Sequence, residues 1–180
     1  MSTPTESKLQ SFRSRRDVQF KQSENSPLRP DQKEIFHGLS YFPETTDLAF
    51  AIDLDTSGDG IEEELTIGTV NGQTKTYIRA GRIHFEVDGQ PTTLTVFKDT
   101  VRGHFFMPFR DATAGEETYS VGRYLEPRAL PDGRIAIDFN QAYNPYCAYN
   151  EGWSCPIPPM ENRVKVPIRA GEQLPDFAEH

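Results

Sequence analysis

The chain has little of several things that mark common protein classes. Only 2 of its 180 residues are cysteine, which excludes a small secreted domain held together by disulfides. No apolar run approaches the ~20 residues of a membrane-spanning helix, and residues 1–20 are polar where a signal peptide would be apolar. The net charge of −8 excludes the broad basic surface of a general nucleic-acid binder. We therefore expect a cytoplasmic protein that binds neither membranes nor nucleic acids.

The negative charge is concentrated in one segment, where eight acidic and no basic side chains lie between Glu44 and Thr66. Alternating oxygen-bearing residues around a glycine there resemble the start of a calcium loop, with candidate ligands Asp53, Asp55, Ser57, Asp59 and Glu64. The flanking residues 50–52 and 65–67 favour strands, whereas an EF-hand needs helices. A solvated acidic hairpin is the favoured interpretation, and no metal or cofactor is predicted.

The first 43 residues are predicted to form a helical arm that packs on the rest of the chain. Apolar residues recur at helical spacing between residues 5 and 22, at Leu9, Phe12 and Phe20. Pro30 and the acidic residues after it are typical of the first turn of a second, short helix. We predict an antiparallel β domain over residues 44–172 and a polar tail over residues 173–180.

From Leu48 onward the apolar period changes from helical to two, which is typical of half-buried strands. Residues 82–88 and 134–139 alternate most clearly. Asn71-Gly72 and Asp88-Gly89 predict tight hairpins, because a type I′ turn needs positive φ at both central positions. About eight short strands in a meander are expected, and closing such a sheet removes its edges. The predicted fold is a mainly β, single-domain antiparallel β-barrel or closed sandwich.

Residues 140–160 are rich in aromatic residues and prolines without a usable period, so they are predicted to form a long ordered loop over the barrel mouth. Cys147 and Cys155 lie in this loop, and their separation is wider than in typical structural zinc sites. Two buried thiols are the favoured interpretation in a reducing compartment, while a redox-sensitive pair and a zinc half-site stay open. Nucleophilic catalysis by Cys147 would require a nearby base, which the sequence does not identify.

Several spaced motifs resemble the domain of unknown function 1684 family of bacteria and archaea. They are Phe109-Arg110-Asp111-Ala112-Thr113, Gly122-Arg123-Tyr124-Leu125, residues 138–145, Cys147-Ala148-Tyr149, Cys155-Pro156, Glu161-Asn162-Arg163 and Ala170-Gly171-Glu172. The resemblance covers roughly residues 12–172. The sequence departs from many members at Tyr146 and Met160. Many members are expected to have a longer N-terminal portion before the segment that matches. The resemblance implies no particular activity, cofactor or catalytic residue.

Polar side chains at strand ends and in the long loop form the candidate site. The candidates are Arg110, Asp111, Tyr119, Arg123, Asn140, Tyr143, Asn144, Cys147, Glu161 and Asn162. In a barrel these ends can meet at one mouth, where arginines would hold an anionic group and tyrosines would stack. The same residue types also make structural networks that close a barrel or order a loop. Both interpretations stay open at the level of sequence.

Three functions are compatible with this pattern. The first is a module that binds a small anionic or aromatic molecule at the barrel mouth under residues 140–160. The second is a cofactor-free or metal-assisted enzyme, a hydrolase or isomerase, with Glu161 or Asp111 as general base. The third is a structural or interaction protein that docks a partner through Arg13, Arg15 and Arg16. The sequence makes no prediction of the oligomeric state.

Overall fold

The computed structural model describes residues 7–175. The fold is mainly β, with two antiparallel sheets and few short helices, and one of the sheets is a half-barrel. This architecture fits the predicted β-barrel or closed sandwich. The helices are α1 (Lys8–Gln22) and α2 (Pro30–Ile35). The strands are β1 (Ala49–Ile52), β2 (Glu64–Gly68), β3 (Thr74–Val87), β4 (Gln90–Asp99), β5 (Phe105–Phe109), β6 (Arg123–Leu125), β7 (Arg128–Ala129) and β8 (Ile135–Asp138).

The larger sheet is a meander of β2 to β6 in chain order, as predicted. Its β3–β4 hairpin turns at Asp88 and Gly89, whose φ angles of 51° and 78° give the expected type I′ turn. At the β2–β3 hairpin only Gly72 has positive φ, because the turn is longer and Thr69 N–H donates to Gln73 C=O.

The smaller sheet departs from the single meander that the turn signals predict. Its strand order is β1-β8-β7, so the first strand pairs with the last across most of the domain. The sequence also predicts a final short strand from Val164 to Ile168, and this segment is irregular in the structure. Its N–H and C=O groups bond residues 110–112, but Pro167 has no N–H to donate, and Ile168 N–H bonds the Asp111 side chain.

The core lies between the two sheets. Ile83 and Leu94 from the larger sheet and Ile135 and Ile137 from the smaller sheet are almost fully buried in one cluster. None of these four side chains lines the cavities described below. A ligand site is therefore to be sought at the loops around the core.

The N-terminal helices pack against the long loop. Ser7 caps α1 through a capping box with Gln10, which satisfies N–H groups at the helix start. A second buried cluster joins Phe20 of α1 and Phe36 to Ala148 and Tyr149 of the loop. The predicted helix positions 5 and 6 and tail positions 176–180 lie outside the described residues.

Cationic side chains of the neighbouring strands compensate the acidic segment. Arg82 donates to the carbonyl of Asp59 at 2.7 Å, and Lys98 lies 3.1 Å from Glu62. His84 on the exposed face of β3 contacts the Asp55 carboxylate at 2.8 Å. No helix within residues 7–175 is long and apolar enough to cross a membrane.

Candidate functional site

Arg123 and Asp111 lie together in the interior. The Arg123 side chain is fully buried and donates to the carbonyls of Ala170, Ile168 and Glu172 at 2.5, 2.8 and 3.2 Å. Its guanidinium lies 3.5 Å from Asp111, whose carboxylate also accepts Ile168 N–H at 2.7 Å. Burial lowers the pKa of Arg123, while the Asp111 charge opposes this shift. The Arg123 guanidinium therefore binds the backbone of residues 168–172, the C-terminal segment.

Asn140 and Asn162 each connect distant backbone segments. The Asn140 side chain accepts from Thr45 N–H at 3.0 Å and donates to Thr45 C=O at 2.8 Å. Asn162 makes the same pair of bonds with Thr95, both at 2.8 Å, and donates to a β5 carbonyl. Both side chains are buried, and their amides replace backbone partners that the irregular strands lack.

Glu161 is an ion-pair partner of β3. Its carboxylate accepts from Arg79 Nε at 3.1 Å and Nη2 at 2.9 Å, and from the Thr95 hydroxyl at 2.7 Å. Burial on its own raises the pKa of Glu161, but the hydrogen bonds from Arg79 and Thr95 outweigh it and lower the pKa below its ordinary value.

This lowered pKa predicts a specific acid dependence of stability. A carboxyl group with a lowered folded-state pKa stabilises the fold above its unfolded pKa of about 4.3, and this contribution is lost as the pH falls through the folded-state pKa. We expect Glu161→Gln to lower the free energy of unfolding at pH 7 and the difference from wild type to be smaller at pH 3, below the unfolded pKa. Urea unfolding at both pH values measures it. The exposed Glu24→Gln is the control, and an equal deficit at pH 7 and pH 3 would contradict the assignment.

Arg110 and the acidic loop do not add to a common site with these residues. Arg110 is exposed, and its Nε donates to Ser120 C=O at 2.9 Å. In the acidic loop, Asp55 accepts from the Ser57 hydroxyl at 2.6 Å and from His84. Across residues 7–175, no three His, Cys, Asp or Glu side chains are placed to hold a metal ion.

The remaining candidates line two of the cavities at the long loop. The first, the aromatic pocket, has a volume of about 530 Å³. Its walls contain six aromatic rings, those of Phe12, Phe20, Tyr124, Tyr143, Tyr146 and Trp153. Trp153 and Tyr146 meet edge to face at 5.0 Å between ring centroids, and Tyr124 meets Tyr143 at 5.8 Å. The pocket therefore lies between α1, β6 and the loop.

The polar lining residues of the aromatic pocket include two cations, Arg16 and Lys75, and the buried amide of Asn144, beside Gln19 and Ser154. Arg16 lies with its guanidinium carbon 5.4 Å from the Tyr143 ring centroid, and Lys75 comes from β3. Lys75 makes no ion pair with the described residues. Asn144 is fully buried, and its Oδ1 accepts no hydrogen bond from residues 7–175. No carboxylate is among the lining residues.

Arg16 is fixed by a buried network. It donates to the Glu172 carboxylate at 2.7 Å and to the Tyr41 hydroxyl at 3.3 Å. Burial on its own lowers the pKa of Arg16, but the charges of Glu172 and Tyr41 and the hydrogen bonds to them together outweigh burial and raise that pKa above its ordinary value. Tyr149 O–H and Asn144 N–H also donate to Glu172. The helix, the loop and the C-terminal segment are thus joined at one carboxylate.

The second space, the polar cavity, has a volume of about 750 Å³ and is also lined by Trp153. Tyr119 and Cys147 line it together with the acidic Glu116 and Glu151. Burial raises the pKa of Tyr119 to about 12. The Cys147 and Cys155 sulfurs are 2.6 Å apart, and Cys155 faces the aromatic pocket.

Comparison with known proteins assigns the chain to a family. A family model described as "Protein of unknown function (DUF1684)" matches residues 34–173. The chain belongs to this family. It is also similar to the solution NMR structure of an uncharacterised protein from Haloarcula marismortui, with 37% sequence identity and a TM-score of 0.68. The match covers 96% of this chain and 94% of that one. No curated protein matches the chain.

Only part of the sequence-predicted set lies at the family member's cavities. Tyr143 and Asn144 line the aromatic pocket, and Tyr119 and Cys147 line the polar cavity. Arg110, Asp111, Arg123, Asn140, Glu161 and Asn162 line neither. Sequence reasoning missed Lys75 and Arg16 as pocket residues, because they come from β3 and α1, far away in the chain. The density of aromatic residues in the loop was the one available signal for Tyr146 and Trp153.

Proposed function

We propose that this family member binds a small aromatic molecule carrying an anionic group, in the aromatic pocket. The observation that carries the proposal is a concave space walled by six aromatic rings and two cations, with no carboxylate among its lining residues. Its volume of about 530 Å³ suits a small ligand. Aromatic rings bind planar ligands by offset or edge-to-face packing, which favours aromatic over saturated molecules.

The two cations of the aromatic pocket differ in how readily they can bind the anionic group of a ligand. Arg16 is already paired with Glu172, so its charge is largely compensated inside the protein. Lys75 is exposed and unpaired among the described residues, and its flexible ammonium reaches an anion without breaking an existing ion pair. The anionic end of the ligand therefore lies towards Lys75, while its ring lies against the loop.

The enzyme hypothesis has weaker support. A general base must reach the bound substrate and needs a pKa near the working pH. Asp111 is buried against Arg123, and Glu161 is held by Arg79 with a lowered pKa. Of the three arginines of the interaction hypothesis, Arg13 and Arg16 contact Tyr41 and Glu172 of the same chain, and Arg15 is exposed.

Ligand binding is tested by thermal shift and by the fluorescence of Trp153, the single tryptophan of the chain, which lines the pocket. Three matched ligand sets are used: one- and two-ring aromatic carboxylates, the corresponding aromatic alcohols, and saturated ring carboxylates. A ligand that binds only the folded state raises its stability by RT ln(1 + [L]/Kd). We expect the aromatic carboxylates to give the largest rise and to change the Trp153 emission.

A matched pair of variants locates the charge contact. We expect Lys75→Glu to weaken binding of the aromatic carboxylate by roughly tenfold, because an attraction becomes a repulsion at the pocket. Lys165→Glu makes the same charge change at an exposed lysine that does not line the pocket, and we expect it to bind like wild type. Equal affinities in the two variants, or no stabilisation by any aromatic carboxylate, would overturn the proposal.

A further inference from the structure

We propose that Cys147 and Cys155 form a reversible intramolecular disulfide that fixes the loop segment between the aromatic pocket and the polar cavity. The two sulfurs are already 2.6 Å apart, so closing the bond needs little movement of the backbone. The seven residues between the cysteines include Trp153, which lines both spaces. Disulfide formation therefore changes the flexibility of a wall that both cavities share.

The surroundings of the pair favour a disulfide over a metal site. Across residues 7–175, no three His, Cys, Asp or Glu side chains are placed to hold a metal ion, so the thiols lack the further ligands of a zinc site. The Cys147 sulfur also contacts Trp153 C=O at 3.2 Å, and Tyr146 packs edge to face on the Trp153 ring. The loop thus holds the two sulfurs together by its own packing.

The two sulfurs differ in access, which sets the order of the reaction. Cys147 is half-buried and lines the polar cavity, whereas Cys155 is buried. A low-molecular-weight disulfide such as oxidised glutathione therefore reacts first at Cys147. The Cys147 thiolate displaces one glutathione thiolate, and the Cys155 thiolate then displaces the second. The product is one protein disulfide, two reduced glutathiones are released, and the two thiol protons pass to them.

The rate of this exchange follows the thiolate fraction. Burial and the neighbouring Cys155 thiol raise the pKa of Cys147 to about 12. The thiol is therefore protonated at neutral pH, and oxidation is slow there and accelerates as the pH rises. The disulfide therefore forms slowly, and its equilibrium fraction follows the ratio of oxidised to reduced glutathione.

The test incubates the reduced full chain in glutathione buffers of increasing oxidised fraction and follows intact mass and free thiols after denaturation. We expect a monomer about 2 Da lighter with both thiols lost, and a melting temperature raised by roughly 5 °C through loop closure. Cys155→Ser is expected to retain one glutathione on Cys147, while Cys147→Ser leaves the buried Cys155 unmodified. The incubation is run at raised pH until the number of free thiols stops changing; two glutathiones per chain, a disulfide-linked dimer, or thiols that still survive in the folded chain would overturn the proposal.

This result is independent of ligand binding, because no ligand is present in the assay. A chain that binds aromatic carboxylates but forms no internal disulfide refutes the proposed disulfide alone. A chain that closes the disulfide but binds no aromatic carboxylate refutes the proposed function alone. The reduced and oxidised forms can also be compared in the Trp153 fluorescence assay, since Trp153 lies between the two cysteines in the chain.

Discussion

Arg123→Met is expected to destabilise the protein by about 3–5 kcal/mol, a large part of the free energy of unfolding of a typical domain. The substitution leaves the buried Asp111 carboxylate without its charge partner. It also removes the hydrogen bonds to the carbonyls of Ala170, Ile168 and Glu172. Equilibrium urea unfolding followed by circular dichroism measures the loss.

Two further variants separate the buried charge from the general loss of an arginine. Arg110→Met removes an exposed arginine that makes one backbone contact, and we expect a cost of about 1 kcal/mol or less. Adding Asp111→Asn to Arg123→Met is expected to restore part of the stability, because the unpaired charge is then absent. A wild-type free energy of unfolding for Arg123→Met would show that the buried guanidinium does not hold the C-terminal segment.

Gly171→Ala is expected to cost about 3 kcal/mol or more. Gly171 has φ +81°, and an added Cβ would lie 2.6 Å from the Phe139 carbonyl oxygen and 2.8 Å from that of Ala142. Both atoms belong to backbone that cannot move without breaking the surrounding hydrogen bonds. Left-handed strain and overpacking therefore add at this position. Thermal and urea unfolding both measure the effect.

Gly133→Ala provides a matched control for this effect. Gly133 has a nearly identical φ of +87°, but an added Cβ there would meet no heavy atom within 4 Å. We expect only the cost of the left-handed conformation, about 1 kcal/mol. The difference between the two glycine variants isolates the close approach of the C-terminal segment to the loop at residues 139–142. Equal costs would mean that this approach is looser than the structure has it.

Local signals in the sequence predicted the fold class well. The two-residue alternation at residues 82–88 became the exposed and buried faces of β3, and the Asp88-Gly89 pair became a type I′ turn. These features are decided by neighbouring residues, because the period of a strand and the φ of a turn are local. The pairing of β1 with β8 was not predicted, because no local signal records which distant strand fills a sheet edge.

The candidate site was predicted less completely for the same reason. The sequence identified Tyr143, Asn144 and Cys147 through their place in an aromatic loop, and the pocket includes or adjoins them. It also predicted Arg123 and Asn162 as ligand-binding residues, but in the structure their side chains donate hydrogen bonds to backbone carbonyls. Whether an arginine faces a ligand or a carbonyl depends on burial, and burial depends on chain segments far apart in sequence.

The sequence by itself determined the composition class, the strand and helix periods, the main hairpin turns and the family resemblance. These follow from residue types and their spacing over a few positions. Only the tertiary structure decided that Lys75 and Arg16 share a pocket with the loop and that the two cysteine sulfurs are in contact. It also decided that Arg123 binds backbone carbonyls in the interior and not a ligand. Those facts depend on long-range packing, in which side chains from distant segments compete for the same space and the same hydrogen-bonding partners.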